Sequence, residues 1–129
     1  MQSHWSPLAL AAVAGGGAVG SVARYVLGTL FQRAGGFPTG TLSVNVTGSF
    51  LLGALMTWLV ARGGAPEARL FLTIGLCGGY TTFSTFAYES ALMIQDGRIV
   101  RTALYVSLSV LLTILAMFAG FAAARSALR

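Results

Sequence analysis

The sequence predicts an all-α integral membrane protein with four transmembrane helices in a single domain, residues 1–129. Of these residues 56% are hydrophobic and only 9% are charged, whereas soluble domains carry about 25% charged residues. Four apolar runs reach the roughly 20 residues that a helix needs to cross the hydrocarbon core. The connections between the runs are short and leave no room for a domain outside the membrane. The predicted spans are 7–31, 40–61, 68–94 and 99–124.

The first span is interrupted by one charge, Arg24. Its apolar stretch lacks a basic n-region and exceeds the h-region of a signal peptide, which indicates a retained helix. Gly16, Gly20, Arg24 and Gly28 recur every fourth residue and share one helix face. Small residues at this spacing allow close approach of two helices. A charge on that face is costly in lipid and indicates function; the alternative is that Arg24 extends to the membrane interface.

Polar side chains form one stripe along the second span and another along the fourth. An isolated hydroxyl in a helix usually donates to the carbonyl four residues earlier and carries little information. Stripes over two turns favour a narrow polar path that replaces the water around an ion, and hydrogen bonding between helices is the alternative. The stripes are Thr41, Asn45 and Ser49 in the second span, and Tyr105, Ser109 and Thr113 in the fourth.

The third span contains the stretch GLCGGYTTFSTF at 75–86, which is poor material for a helix in lipid. We expect a break in this helix that frees backbone carbonyls, which membrane proteins tolerate only where the backbone is buried or lines a wet cavity. Freed carbonyls are ligands for a hard cation such as sodium. Phe83 and Phe86 follow, and because the edge of a phenyl ring is electropositive they can contact a small anion. Packing in an apolar core is the alternative for this pair.

Two glycine–proline stretches, GGFP at 35–38 and GGAP at 63–66, predict the loops on either side of the second span. With four spans, the arginines after Arg24 are divided four against three between the two sides of the membrane. Such a small bias does not fix orientation, which favours insertion both ways and antiparallel pairing; a single orientation is the alternative. The arginines are Arg62, Arg69, Arg125 and Arg129 on one side, and Arg33, Arg98 and Arg101 on the other.

Several functions are disfavoured by the residues that the chain lacks. The net charge of +5 comes from scattered arginines without a lysine or a basic cluster, so we expect no nucleic-acid partner. Cys77 is the only cysteine, which leaves no intrachain disulfide. The only histidine is His4 in the N-terminal tail, and the sequence shows no pattern of paired carboxylates, metal ligands or nucleophile and base. We therefore expect no enzymatic activity.

Three motifs, one in each of the first three spans, resemble the signature of the CrcB/Fluc family of fluoride ion channels. They are GGAVGSVARY at 16–25, GTLSVNVTGSFLLG at 40–53 and GGYTTFSTFAYE at 78–89. The resemblance implies a dual-topology, antiparallel homodimer in the bacterial inner membrane, with two fluoride pores and a structural sodium ion at its centre. It also implies passive export of fluoride, which lowers the toxicity of this ion to the cell. Selectivity for fluoride over chloride rests on the resemblance alone.

The resemblance also assigns roles to individual residues. It gives the sodium ion the backbone oxygens of Gly78 and Thr81 as ligands. It implies that Arg24 attracts anions to a vestibule, and it leaves the role of Glu89 open. The pore residues that it implies are Phe83, Phe86, Asn45, Tyr105, Ser109 and Thr113, with Thr82 and Ser84 as further donors.

Three other functions compete with a channel. A proton-coupled fluoride exporter would use Glu89 as a group that is protonated within the membrane. A small multidrug transporter of dual topology would need an acidic residue in the first span, where Arg24 stands instead and repels cations. A non-catalytic assembly subunit would not need the polar stripes. Fluoride and chloride efflux from liposomes distinguishes among these functions.

Overall fold

The computed structural model describes residues 6–129, and His4 lies outside the described residues. All regular secondary structure in the described part is helical, and four helical stretches are long and apolar enough to cross a membrane. This confirms the predicted all-helical class with four spans. The stretches are α1 (Pro7–Phe31), α2 (Thr39–Arg62), a third span (Pro66–Gln95) and α5 (Ile99–Ala127).

The third span consists of two helical parts. The first part, α3 (residues 66–80), contains wide turns of π type, and the second part is α4 (Phe83–Gln95). Thr81 and Thr82 lie between them in extended conformation, with φ/ψ of −86°/158° and −151°/120°. We call these two residues the link. The consecutive segments of α3 are Pro66–Arg69, the π-type Leu70–Cys77 and Gly78–Tyr80.

Capping residues and glycines define the ends of the helices. The Ser6 hydroxyl accepts a hydrogen bond from the first turn of α1 at 3.0 Å, as an N-cap residue does. Gly63 ends α2 with a positive φ of 63°, and Gly97 follows α4 with a φ of 73°. Gly35 and Gly36 also have positive φ and form the loop between α1 and α2, where glycine is favoured because it lacks a Cβ atom.

The glycine face of α1 packs against α3. Gly16 and Gly20 are buried there. A Cβ atom at Gly20 would lie 2.8 Å from the amide nitrogen of Tyr80 and nearer still to the Leu76 carbonyl oxygen. The four-residue spacing in the sequence therefore predicts this close contact correctly.

α2 packs along α5 by the same means. Gly53 of α2 faces the Met117 carbonyl, and Gly120 of α5 faces the Phe50 carbonyl. Where α2 begins, Gly40 lies against the Gly28 carbonyl of α1. α2 is thus the helix that joins the α1–α3 pair to α5.

A small apolar cluster lies beside the link, where α4 meets α5. Its buried members are Phe86, Met93 and Tyr105, and Phe37 and Leu42 pack against them. Many large apolar side chains elsewhere point outward, including Leu111 and Leu115 of α5 at 60% and 63% exposure. Outward apolar side chains are expected when the surroundings are lipid tails.

The Gly20 contact gives a stability prediction. We expect Gly20→Ala to lower the free energy of unfolding by about 1–3 kcal/mol, because the added methyl group overpacks a backbone contact. Gly17→Ala is the matched control, since a Cβ atom at that position meets no described atom within 4 Å. Unfolding in mixed micelles with increasing dodecyl sulfate measures both variants. Equal stability of the two variants would contradict the proposed packing.

Candidate functional site

A cavity of about 240 Å³ lies between α2, α5 and the link. We call it the central cavity. The amide and hydroxyl stripe of α2, the hydroxyl stripe of α5 and the aromatic pair of α4 all reach it. The predicted site residues that line it are Asn45, Thr81, Thr82, Phe83, Phe86, Ser109 and Thr113, together with Ser49 of the α2 stripe.

The side chain of Asn45 in α2 makes two hydrogen bonds to the backbone of Thr82. Its Nδ2 atom donates to the Thr82 carbonyl at 2.9 Å, and its Oδ1 atom accepts from the Thr82 amide at 2.7 Å. A primary amide has two N–H groups, so these bonds leave one N–H free for another acceptor. Asn45 therefore contacts the link and lines the central cavity at the same time.

At the link, two backbone amides donate to side chains and not to the carbonyls that they would reach in a continuous helix. In such a helix the Thr82 amide would donate to the Gly78 carbonyl, and the Thr85 amide to the Thr81 carbonyl. Instead the Thr82 amide donates to Asn45, and the Thr85 amide donates to the Thr82 hydroxyl at 3.2 Å. The carbonyls of Gly78 and Thr81 thereby lose their helical partners.

These two carbonyls fit a hard cation in type but not in number. Such ions take oxygen ligands and commonly six or more of them, whereas this chain brings two. Arg24 Nη1 lies 3.4 Å from the Thr81 carbonyl oxygen. Within residues 6–129, no group of three or more His, Cys, Asp or Glu side chains could hold a metal ion. A complete cation site at Gly78 and Thr81 therefore needs ligands from a second molecule.

The hydroxyls that line the central cavity differ in their hydrogen bonding. Ser49 donates to the Asn45 carbonyl at 2.7 Å, and Thr113 donates to the Ser109 carbonyl at 2.6 Å. Both are ordinary bonds within one helix. The hydroxyl of Ser109 is buried and has no hydrogen-bond partner in the described part of the chain. Because an unpaired buried hydroxyl is costly, Ser109 is the donor that most needs a ligand.

Phe83 and Phe86 lie side by side at the cavity, with ring centroids 5.3 Å apart and ring planes inclined at 48°. Phe86 is 8% exposed and also packs on Tyr105 at 5.1 Å. Phe83 is 78% exposed. Phe86 thus belongs to the apolar cluster as well as to the cavity, whereas the Phe83 side of the cavity is open.

A second cavity of about 310 Å³ lies on the other side of Thr82, which lines both cavities. We call it the outer cavity. Glu89 lines it, and its carboxylate accepts hydrogen bonds from the Thr41 hydroxyl at 2.8 Å and from the Tyr105 hydroxyl at 2.7 Å. Arg24 is also part of its wall. The outer cavity therefore has one positive and one negative group, and both carboxylate oxygens of the negative group have hydrogen-bond partners.

Three further predicted site residues line neither the central nor the outer cavity. Tyr105 is fully buried, and its hydroxyl points to Glu89. Ser84 is exposed, with its hydroxyl 3.4 Å from that of Thr82. Gly78 is exposed in α3. The roles of these residues in conduction remain predictions.

Gly48 is a site residue that the sequence pattern does not predict. Gly48 lines the central cavity, and a Cβ atom there would lie 2.9 Å from the ring of Tyr80 and nearer still to the Thr81 methyl group. The absence of a side chain lets α2 approach the link closely enough for Asn45 to reach Thr82. The signal in the sequence was a glycine within the polar stripe, three residues after Asn45.

Comparison with known proteins gives one consistent result. Residues 11–121 match the family model described as "CrcB-like protein, Camphor Resistance (CrcB)". A Caulobacter vibrioides (strain NA1000 / CB15N) protein named "Fluoride-specific ion channel FluC" is 50% identical over 117 residues, covering 88% of this chain and 92% of the relative. Proteins of the same name from Rhizobium meliloti (strain 1021) and Chlorobium luteolum (strain DSM 273 / BCRC 81028 / 2530) are 49% and 43% identical. These alignments cover 88% and 92% of this chain, and 94% of each relative.

The hydrogen bonds of Glu89 give a second stability prediction. We expect Tyr105→Phe to lower the free energy of unfolding by about 1–3 kcal/mol, because one carboxylate oxygen of Glu89 loses its buried donor. Tyr88→Phe removes the same hydroxyl from a side chain that is 64% exposed and should change this energy by less than about 0.5 kcal/mol. Unfolding in mixed micelles compares the two variants. A Tyr105→Phe protein as stable as the control would show that the bond contributes nothing.

Proposed function

Because this chain belongs to the CrcB family, we propose that it is a fluoride-selective ion channel that lets fluoride leave the cytoplasm passively and so lowers its toxicity. The names of its relatives support fluoride as the ion. The structural observation that carries the proposal is the buried, unpartnered hydroxyl of Ser109 in the central cavity. These relatives are named as ion channels and not as enzymes, which agrees with a channel function.

The central cavity offers an anion a set of weak donors. Ser109 supplies a hydroxyl, Asn45 has one N–H that its bonds to Thr82 leave free, and Phe83 and Phe86 present ring edges. Among the described residues no carboxylate and no arginine lines this cavity. An ion that must leave as well as enter should be held by weak contacts and not by a fixed charge.

Arg24 and Glu89 act at the outer cavity in this proposal. Arg24 raises the local concentration of anions before they reach the central cavity. Glu89 would repel them, but Thr41 and Tyr105 direct donors at both of its carboxylate oxygens. The charge of Arg24 is therefore the one that an arriving anion meets with the least compensation. Thr82 lines both cavities and is the natural point of passage between them.

The functional unit in this proposal is an antiparallel homodimer with two pores in the bacterial inner membrane. The nearly even distribution of arginines supports insertion in both orientations. The 78% exposure of Phe83 at the edge of the central cavity supports a second chain that closes this side. A two-fold interface would make two equivalent cavities.

We assign a structural sodium ion to the centre of this dimer, held by the backbone carbonyls of Gly78 and Thr81. When bound, the ion supplies positive charge that neutralises the partial charges of these oxygens. The surroundings of Gly78 support the assignment: its φ is −65°, and the nearest atom to a Cβ would be the Thr73 carbonyl oxygen at 3.9 Å. Nothing among residues 6–129 therefore requires glycine at this position, whereas a close approach by a second chain would.

The alternative functions make different use of the charged groups. A proton-coupled fluoride exporter would bind and release a proton at Glu89. Both carboxylate oxygens of Glu89 already accept hydrogen bonds, one from Thr41 and one from Tyr105. A small multidrug-type transporter would need an acidic residue in the first span to bind cations, and Arg24 stands there instead and repels them. We favour the channel, and ion flux distinguishes it from both.

Fluoride flux through purified protein in liposomes tests the channel. We expect fluoride to run down its gradient without a proton gradient, to set a membrane potential, and to exceed chloride flux by a large factor. A fluoride electrode and a potential-sensitive dye measure the two properties. Uphill fluoride movement driven by a proton gradient would establish the exporter instead, and equal chloride flux would overturn the selectivity.

The phenylalanine pair gives a second flux prediction. Phe83→Ile and Phe86→Ile keep apolar bulk but remove the electropositive ring edge, so we expect folded protein with at least about tenfold slower fluoride flux, equivalent to about 1.4 kcal/mol. Phe121→Ile is the matched control, because Phe121 and Phe118 form a similar ring pair, 5.9 Å apart, and Phe121 does not line the central cavity. Gel filtration checks assembly beside the liposome assay. Flux at the control level in both variants would leave the pair with a packing role only.

A further inference from the structure

Asn45 binds the link as a neighbouring β-strand would. Its amide group donates to the carbonyl and accepts from the amide of one residue, Thr82, at 2.9 and 2.7 Å. Two opposed residues in an antiparallel sheet exchange the same pair of bonds. A partner of this kind requires extended backbone, and Thr82 has a φ/ψ of −151°/120°. The side chain of Asn45 therefore fits the extended form of the link and not a helical one.

The position of α2 makes this contact possible. Gly48, one turn after Asn45, lies directly against Thr81 and Tyr80. The Thr47 hydroxyl lies 2.9 Å from the Tyr80 hydroxyl. α2 is thus held against the N-terminal side of the link, and the Asn45 side chain spans the remaining distance to Thr82.

The bond to the Thr82 amide has a consequence at Gly78. The helical partner of this amide would be the Gly78 carbonyl. A link that returned to helix would pair the two groups and remove the Gly78 oxygen from the set available to a cation. Asn45 occupies the Thr82 amide and so prevents this exchange. The Thr82 hydroxyl acts in the same way on the Thr85 amide, the helical partner of the Thr81 carbonyl.

We propose that Asn45 is a positioning residue for the central sodium ion: its amide holds the link extended and so prevents the carbonyls of Gly78 and Thr81 from pairing with the amides that they would meet in a continuous helix. This inference rests on the sodium ion of the proposed function. It gives Asn45 a role that is distinct from lining the pore. The role requires a donor and an acceptor on the same side chain, which asparagine has and aspartate lacks once ionised.

The test is the sodium dependence of thermal unfolding of the purified protein, with N-methylglucamine replacing sodium at constant ionic strength. An ion that binds only the folded protein raises the unfolding temperature as the concentration of the ion rises. We expect Asn45→Asp to raise the sodium concentration for half-maximal stabilisation by about 10- to 100-fold, the usual effect of losing a residue that orients metal ligands. Asn45→Ser keeps one hydroxyl and should shift it by a smaller factor.

Ser49→Ala is the matched control. Ser49 lies four residues after Asn45 on the same face, lines the same cavity and donates only within α2. We expect its sodium dependence to match that of the wild type, even where fluoride flux falls. A folded Asn45→Asp protein with the wild-type sodium dependence would overturn the positioning role while leaving the sodium ion in place. Wild-type protein without any sodium dependence would instead overturn the sodium ion of the proposed function, and the positioning role with it.

Hydrogen exchange on the wild-type protein keeps the inference testable if the Asn45 variants do not fold. The Thr82 amide should exchange as slowly as amides within α4, because it donates to Asn45 in a partly buried position. Its protection should increase further when sodium is added. Rapid exchange of this amide with sodium present would contradict the proposal.

Discussion

The structure depends on one constraint, which is that a backbone polar group within the membrane must find a partner other than water. The extended link places this demand at Thr81 and Thr82. Asn45 satisfies the Thr82 amide and carbonyl, and the Thr82 hydroxyl satisfies the Thr85 amide. The amides of Thr82 and Thr85 are thus paired within the chain, while the carbonyl of Gly78 loses its helical partner. A carbonyl without a donor favours a positive charge beside it, and Arg24 already approaches the neighbouring Thr81 carbonyl.

The same constraint explains why glycine is placed where helices meet. A side chain can reach the link only if its helix lies very near, and Gly48 brings α2 to that distance. Gly16 and Gly20 do the same for α1 against α3, and Gly120 does so for α5 against α2. Lipid tails are as apolar as the helix surfaces, so the hydrophobic effect does not drive helices together in a membrane. The helices associate through close packing instead. The small residues therefore set the geometry in which the polar groups act.

The sequence predicted more of the helix packing than of the hydrogen bonding. Four-residue spacing identified the face of Gly16 and Gly20, since periodicity follows directly from helix geometry. It could not tell that Ser109 would lack a partner while Thr113 donates within its own helix. It also placed Tyr105 on the stripe with Ser109, although its hydroxyl points to Glu89. These differences arise from side-chain rotation and from residues on other helices, which a single-helix pattern does not contain.

The two cavities divide the tasks that an anion pathway must perform. Attraction over a distance requires a full charge, and in the proposed channel Arg24 supplies it in the outer cavity, where Thr41 and Tyr105 donate hydrogen bonds to Glu89. A full charge at the narrowest point would instead hold the ion too tightly for rapid release. In the central cavity the donors are accordingly neutral, and among the described residues the buried hydroxyl of Ser109 is the one without a hydrogen-bond partner. Thr82 borders both cavities, so the residue to which Asn45 is hydrogen-bonded is also, in the proposed channel, the point at which an anion passes from the outer to the central cavity.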